Sequence, residues 1–256
     1  MKGIETDILY EDQSFPNAWV RAMMMNKRNG KVIHFGGGKE IKEAKDISLT
    51  VVLEGNALQE ALNGKLHPQF PTKERHKEAY IKEWERNYDW RKQGFTYCYE
   101  DRCEAYKIGQ DKYEEDILCD QWKLAREDLA EQIRTSTQSN RNVIVIGNPS
   151  IDRFEIPESP PCLREIWIRF EGFDKSTSIG QGMIPLVSIE TDWRSRDLGS
   201  AWPVNIIGLL SAIKREILEP NGAKLLQYRD HSRSLHVYSY DWPLFDAIRQ
   251  LPIIMR

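Results

Sequence analysis

Cys162 is the residue of this sequence best placed to act as a nucleophile. It ends the run SPPC (159–162), directly before a segment with the pattern of a strand. Two prolines restrict the backbone on its N-terminal side, so we expect the thiol to occupy a well-defined position. A cysteine thiolate attacks carbon strongly where nearby cations lower its pKa. The alternative is a buried structural cysteine, which is a common location for a free thiol.

The run WRSRDLG (193–199) has the residue types of an anion site. Arg194 and Arg196 each carry a planar guanidinium group that matches the oxygens of a phosphate. Ser195 adds a hydroxyl between them. A solvated turn has the same composition, so the run alone leaves both interpretations open.

The run LHVY (235–238) is a candidate sugar-binding strand. Strand alternation puts His236 and Tyr238 on the same face, because successive side chains of a strand point to opposite sides. Two adjacent hydrogen-bonding groups could hold a sugar hydroxyl. The alternative is an ordinary half-buried strand with one face in water.

The hydrophobic pattern mixes strands with long helices. Strands are predicted at 46–53, 142–146, 165–170, 184–190 and 235–240. Helices are predicted at 72–90, 121–134 and 205–218. Because the order has no regular βαβ alternation, we expect the α+β class. The chain has no internal repeat or linker-like tract, which predicts a single domain over residues 1–256.

Composition narrows the class of protein further. With 256 residues, 40% of them apolar, the chain can bury a large core. A net charge of −3 argues against a general nucleic-acid binder, which usually has a basic excess. No apolar run approaches the roughly 20 residues that span a bilayer, and the N-terminus does not resemble a secretory signal. The four cysteines have no metal-ligand spacing. We therefore expect a cytoplasmic protein with free thiols and with no metal, membrane or nucleic-acid partner.

Taken in order, these runs resemble the thymidylate synthase superfamily, most closely its shorter archaeal-type branch. The shared features are PPC before a strand, RSRDLG, an asparagine that opens an apolar helix, and HVY near the C-terminus. The resemblance is firm from about Gln121 to Tyr240. It implies the thymidylate synthase fold, a mixed sheet flanked by helices, and a homodimer. It also implies a pyrimidine nucleoside monophosphate as substrate and 5,10-methylenetetrahydrofolate as co-substrate.

The resemblance assigns catalytic roles to five residues. Cys162 matches the nucleophile that adds to C6 of the pyrimidine, and Tyr97 matches the tyrosine near it. Glu83 lies where the catalytic glutamate of the family is expected, although a solvated helix carboxylate is the alternative. Asp197 matches the aspartate beside the pyrimidine and the folate. Asn205 matches the asparagine that recognises the uracil edge.

Five further residues match substrate ligands of the family. Arg194 and Ser195 match ligands of the phosphate. Arg141 matches the second of two arginines that reach the phosphate bound in the other subunit. His236 and Tyr238 match the pair that holds the 3′-hydroxyl of the sugar.

The sequence also departs from the family pattern. Leu163 replaces the histidine that usually follows the nucleophile, and Asn140 replaces the first arginine of the intersubunit pair. HFGGGKE (34–40) stands where the family has an arginine-and-glycine phosphate loop, and the C-terminal IIMR lacks the tail that closes over folate. These changes leave the chemistry of the nucleophile intact and leave the second step open.

The resemblance therefore predicts an enzyme that transfers a one-carbon unit to C5 of a pyrimidine nucleotide. Methylation of dUMP to dTMP is the leading prediction, and 5-hydroxymethylation of dUMP or a cytidine nucleotide is the nearest alternative. A non-catalytic nucleotide-binding or regulatory protein is the alternative from another class, but binding alone does not need a thiol. Asn205 favours uracil, because an amide can accept from N3–H and donate to O4.

Overall fold

The computed structural model describes most of the chain, namely residues 9–12, 14–35, 38–53, 57–62, 74–86, 88–89, 91–93, 96–156, 160–175 and 183–248. The strands are β1 (Leu9–Asp12), β2 (Lys31–Phe35), β3 (Lys39–Val52), β4 (Tyr106–Gln110), β5 (Asp116–Cys119), β6 (Val143–Val145), β7 (Leu163–Phe173), β8 (Pro185–Trp193), β9 (Arg196–Asp197) and β10 (Lys224–Tyr238). The α-helices are α1 (Phe15–Asn29), α2 (Ala57–Leu62), α3 (Glu74–Lys82), α4 (Tyr99–Glu104), α5 (Gln121–Thr135), α6 (Pro149–Phe154), α7 (Trp202–Ile213) and α8 (Leu244–Ala247). Parts of the features predicted at 34–40, 72–90 and 159–162, and all of 253–256, lie outside the described residues.

Eight of these strands form one mixed sheet. Its order is β1-β3-β10-β8-β7-β6, with β2 paired to β3 and β9 paired to β10. β10 runs parallel to β8 and β9 and antiparallel to β3, so both orientations meet at the centre. β4 and β5 form a separate hairpin. The sheet and its flanking helices confirm the predicted α+β class.

The helices pack against the apolar side of the sheet. Ile47, Leu49 and Val51 alternate along β3 and are buried in the core, where α1 packs against the strand. α5 packs against β7 in the same way. α7 is buried around most of its circumference, as expected for a helix that is apolar on all sides. It contributes Asn205 to the lining of the cavity described below.

The boundaries of two strands differ from the prediction. β3 begins at Lys39, seven residues before the predicted strand, and β10 begins at Lys224, eleven residues before it. In β10 the alternation is hidden because Asp230 and Ser232 occupy buried positions. Ser232 donates to Asp230, and Asp230 pairs with Arg196, 34 residues away, a contact that no local pattern reveals.

The predicted helices agree better with the structure. The helix predicted at 121–134 is α5, and it begins at the N-cap Asp120, whose side chain accepts from the backbone N–H of Lys123. The helix predicted at 205–218 begins three residues earlier, at Trp202, and its last turn widens into a π-helix at Lys214–Leu218. The helix predicted at 72–90 was too long: α3 ends at Lys82, eight residues before the predicted end, and residues 83–86 form a turn.

No helix within the described residues is both long and apolar enough to cross a membrane. Among the same residues, no cluster of three or more His, Cys, Asp or Glu side chains could hold a metal ion.

Candidate active site

A cavity of about 350 Å³ lies where α3, α7, β9 and the end of β10 meet. Most of the predicted site residues contribute to its wall, although they come from distant parts of the chain. Those that line it are Glu83, Tyr97, Cys162, Ser195, Asp197, Asn205, His236 and Tyr238. The volume is within the range of small-molecule sites, about 300–1,000 Å³.

Strand pairing fixes one side of this cavity. The short strand β9 runs parallel to β10, with Asp197 opposite His236, and the N–H of Leu198 donates to the carbonyl of His236 at 2.8 Å. Trp19 of α1 supports this strand, because its indole N–H donates to the carbonyl of Leu198 at 2.8 Å. The predicted pair on β10 is also formed: the rings of His236 and Tyr238 meet edge to face, 5.1 Å apart.

The pKa of His236 on this side of the cavity depends on its burial and on the charge of Asp197. Burial lowers the pKa of His236, although the charge of Asp197 acts in the opposite direction. The imidazole is therefore neutral near pH 7 and can both donate and accept. Asp197 is held by its own turn, where its carboxylate accepts from the N–H groups of Gly199 and Ser200 at 3.0 and 3.2 Å and from the Ser200 hydroxyl.

Cys162 is partly buried at the cavity wall. Its loop is held by Arg194, which uses its backbone N–H to donate to the carbonyl of Cys162 at 2.9 Å. The Arg194 guanidinium donates to the carbonyls of Pro160 and Pro161 at 2.7 and 3.2 Å. Arg194 lies between β8 and β9 and holds the loop of Cys162 without lining the cavity, whereas the neighbouring Ser195 lines it.

An aromatic cluster carries Tyr97. Its hydroxyl is 3.3 Å from the hydroxyl of Tyr99, whose ring stacks on Trp84 at 5.4 Å and meets Trp193 edge to face at 6.0 Å. Burial raises the pKa of Tyr97, and negative charge on Cys162 acts in the same direction. Tyr97 is therefore a protonated phenol, and both it and Cys162 line the cavity.

Glu83 enters the cavity from the end of α3. Burial raises the pKa of its carboxyl from an ordinary value of 4.5 to about 7. Its side chain makes no hydrogen bond to any residue that the structure describes. A carboxyl group with a pKa near neutrality can both give and take a proton. These surroundings differ from those of a solvated helix carboxylate.

Arg196 and Asp230 form a buried ion pair next to the cavity, which the sequence pattern did not predict. Arg196, which is 1% exposed, donates through Nε and Nη2 to Asp230 at 3.1 and 2.9 Å. Its guanidinium lies 3.5 Å from the centre of the Trp193 ring. Asp230 also accepts from the hydroxyls of Tyr228 and Ser232 at 3.2 and 2.9 Å. Arg196 is therefore a buried residue anchored through Nε and Nη2, unlike the exposed guanidinium that the RSRD run allowed. It also lines the cavity, and its Nη1 has no hydrogen-bond partner among the described residues.

Arg141 lies apart from the other candidates. It is exposed, just before β6, and does not line the cavity of its own chain. Tyr80, by contrast, lines the cavity although it is not one of the predicted site residues. Its spacing of three residues from Glu83 is the signal that could have identified it, because residues three apart share a helix face.

No family model matches this sequence. The chain is similar to a protein named "Putative thymidylate synthase" from Methanosarcina barkeri (strain Fusaro / DSM 804), at 22% identity over 238 residues. It is also similar to a protein of the same name from Methanosarcina mazei, at 26% identity over 237 residues. Each match covers 92% of this chain and 92% of the relative.

Proposed function

Because these two relatives support a thymidylate synthase-like family, in agreement with the resemblance in the sequence, we propose that the protein transfers a one-carbon unit to C5 of a pyrimidine nucleoside monophosphate. The donor is 5,10-methylenetetrahydrofolate, and the leading reaction is dUMP to dTMP. The observation that carries the proposal is that Cys162, Glu83 and Asn205 line one cavity.

The chemistry needs a nucleophile, because C5 of a pyrimidine does not attack carbon readily. Addition of the Cys162 thiolate to C6 turns C5 into an enolate carbon, which then bonds to the one-carbon unit. Loss of the C5 proton and cleavage of the bond between the transferred carbon and the folate nitrogen leave an exocyclic methylene on C5. Hydride from the tetrahydrofolate released in this step reduces the methylene to a methyl group and leaves dihydrofolate. Cleavage of the bond from C6 to sulfur then restores the ring and releases the Cys162 thiolate. Glu83, with its pKa of about 7, is the group suited to relay protons during these steps.

The neighbouring side chains suit binding and orientation. The Asn205 amide can accept from N3–H and donate to O4 of uracil, and it has no side-chain partner among the described residues. His236 and Tyr238 present neutral hydrogen-bonding groups for a sugar hydroxyl. Ser195 supplies a phosphate contact from the cavity wall. Arg194, which is exposed beside it, adds a contact through the guanidinium N–H groups that are not bonded to Pro160 and Pro161, and Arg141 adds one from the second subunit of a homodimer.

Cys98 also lines the cavity but is a poorer nucleophile. Burial raises the pKa of its thiol to about 11, and the thiol donates to the carbonyl of Glu83 at 2.9 Å. A thiol held in this way has little thiolate at neutral pH. Cys162 is therefore the residue on which the covalent adduct is expected.

Adduct formation with 5-fluoro-dUMP and 5,10-methylenetetrahydrofolate tests the proposal. Because fluorine at C5 cannot leave as a proton does, the ternary adduct should accumulate, and mass spectrometry should map it to Cys162. Cys162→Ser should form no adduct and lose roughly 10³-fold or more in turnover of dUMP. Cys119→Ser, on β5 and outside the cavity, is the matched control and should behave like the wild type. An adduct on another cysteine, or an active Cys162→Ser protein, would overturn the proposal.

A further inference from the structure

Tyr80 lies in the last turn of α3, and Glu83 directly follows that helix, with its N–H still bonded to the carbonyl of Ala79 at 3.0 Å. The two residues are three positions apart, slightly less than one helical turn, so their side chains project to the same side. Both line the cavity. The phenol of Tyr80 therefore faces the same space as the carboxyl group assigned to proton transfer.

The Tyr80 hydroxyl has no partner within the described residues. Other tyrosines near the cavity differ in this respect: the hydroxyl of Tyr97 is 3.3 Å from that of Tyr99, and the hydroxyl of Tyr228 is 2.9 Å from Thr191 Oγ1. A partly buried tyrosine hydroxyl usually finds a hydrogen-bond partner. A ligand in the cavity can supply that partner.

Burial and the charges around Tyr80 keep its phenol protonated, so the hydroxyl can donate a hydrogen bond. Burial raises its pKa to about 12, and the carboxylates of Glu83 and Asp197 and the phenol of Tyr97 act in the same direction, while Arg196 opposes them. The phenol is therefore protonated at any physiological pH. It offers an O–H donor in a part of the cavity where the ionised carboxylates only accept.

Tyr80 also lies on a particular side of the cavity. The carboxylate of Glu83 is the charged group that acts most strongly on the pKa of Tyr80, whereas negative charge on Cys162 acts on Tyr97 and Tyr238. Asp197 acts on both Tyr80 and Tyr238, so the neighbour that distinguishes the position of Tyr80 is Glu83. The pyrimidine ring must reach Cys162, so the Glu83 side is left for the molecule that brings the carbon to C5. A reduced pteridine presents N–H donors for carboxylates and also a carbonyl oxygen and ring nitrogens that need a donor.

We propose that the Tyr80 hydroxyl donates a hydrogen bond to the reduced-pteridine co-substrate and makes Tyr80 a specificity-determining residue for the one-carbon donor. This inference rests on the proposed function. Tyr80 would add a contact with the co-substrate that the sequence motifs did not predict. The contact is made by a residue of α3 rather than by the nucleotide-binding strands.

Tyr80→Phe tests this assignment, because it removes the hydroxyl oxygen and keeps the aromatic ring that packs against the core. The KM for 5,10-methylenetetrahydrofolate should rise about threefold to tenfold, the effect of losing one neutral hydrogen bond. The Kd for dUMP in the absence of folate, measured by calorimetry, should differ from the wild-type value by less than about twofold. Tyr113→Phe, an exposed tyrosine of the β4–β5 hairpin, is the matched control and should leave both constants unchanged.

The outcomes separate this inference from the proposed function. If wild-type protein forms the ternary adduct and Tyr80→Phe forms it with the same dependence on folate concentration, the inference is wrong and the proposed function stands. A loss confined to dUMP affinity would also overturn the inference, because the hydroxyl would then contact the nucleotide. Absence of any adduct in the wild type would overturn the proposed function and the inference together.

Discussion

Several side chains of the cavity have polar groups without a protein partner in the described part of the chain. They are the side chains of Tyr80, Glu83, Ser195, Asn205 and Tyr238. Groups of this kind are usually satisfied by water or by a ligand. They contrast with Asp197, whose carboxylate accepts from Gly199 and Ser200 of its own turn. Hydrogen bonding thus distinguishes the groups that are available to a ligand from those already bonded within the protein.

Glu83 should make stability depend on pH. Its folded-state pKa of about 7 exceeds the ordinary value of 4.5, so the folded protein binds this proton more tightly than the unfolded chain. The contribution to stability is complete below pH 4.5 and is lost as pH rises towards 7 and beyond. Glu83→Gln cannot ionise. Its melting temperature should therefore equal that of the wild type near pH 4.5 and exceed it at pH 8.

The control for this experiment is Glu78→Gln, because Glu78 is exposed on the same helix. Its melting temperature should differ from that of the wild type by the same amount at every pH. If the melting temperatures of the wild type and Glu83→Gln depended on pH in the same way, the Glu83 carboxyl group would not be desolvated in the folded protein.

The position of α3 relative to α7 depends on one glycine. A Cβ atom on Gly208 would lie 2.6 Å from the backbone oxygen of Tyr80 and 2.5 Å from Cδ1 of Trp84. Since real contacts are not this short, only glycine allows the two helices to approach so closely. Asn205 lies three residues before Gly208 on α7, so the same face of that helix also contributes to the cavity.

Gly208→Ala should therefore displace α3 and move Glu83 and Tyr80 away from the substrate. A shift of 1 Å in a positioned group can cost on the order of 10²-fold in rate, so we expect kcat to fall at least tenfold. Overpacking should lower the free energy of unfolding by about 1–3 kcal/mol. Gly109→Ala is the control, because a Cβ there meets no atom within 4 Å. Wild-type kcat in Gly208→Ala would contradict the proposed role of this helix crossing.

For the whole molecule, the exposed position of Arg141 gives a test of the proposed homodimer. If Arg141 completes the phosphate site of the other subunit, Arg141→Ala and Cys162→Ser homodimers should both be inactive. Mixing them with subunit exchange should restore about a quarter of wild-type activity, because half of the dimers are mixed and each mixed dimer has one intact site.

Arg134→Ala provides the control for the mixing experiment. Arg134 is exposed on α5 and pairs with Glu131 at 2.5 Å, so its loss should leave a homodimer active by itself. Failure of the Arg141→Ala and Cys162→Ser mixture to regain activity, in samples shown by sedimentation to contain mixed dimers, would rule out a shared site.

Features with a local cause were predictable from the sequence. Repeated apolar residues at helical spacing identified α5, and short apolar or alternating runs identified β6, β7 and β8. The first half of β10 was missed because Asp230 interrupts the apolar pattern. That carboxylate is tolerated in the core only because Arg196, 34 residues away in the sequence, pairs with it. An isolated buried charge would otherwise be strongly unfavourable.

The sequence by itself determined the α+β class, the candidate nucleophile and the order of the substrate-binding runs, because these follow from residue type and local spacing. Only the tertiary structure decided that Arg194 holds the loop of Cys162, that Arg196 is buried, and that Tyr80 faces the cavity. It also decided that Glu83 is desolvated. Burial, pKa and hydrogen-bond partners depend on which distant segments meet in space, and a sequence pattern does not specify those contacts.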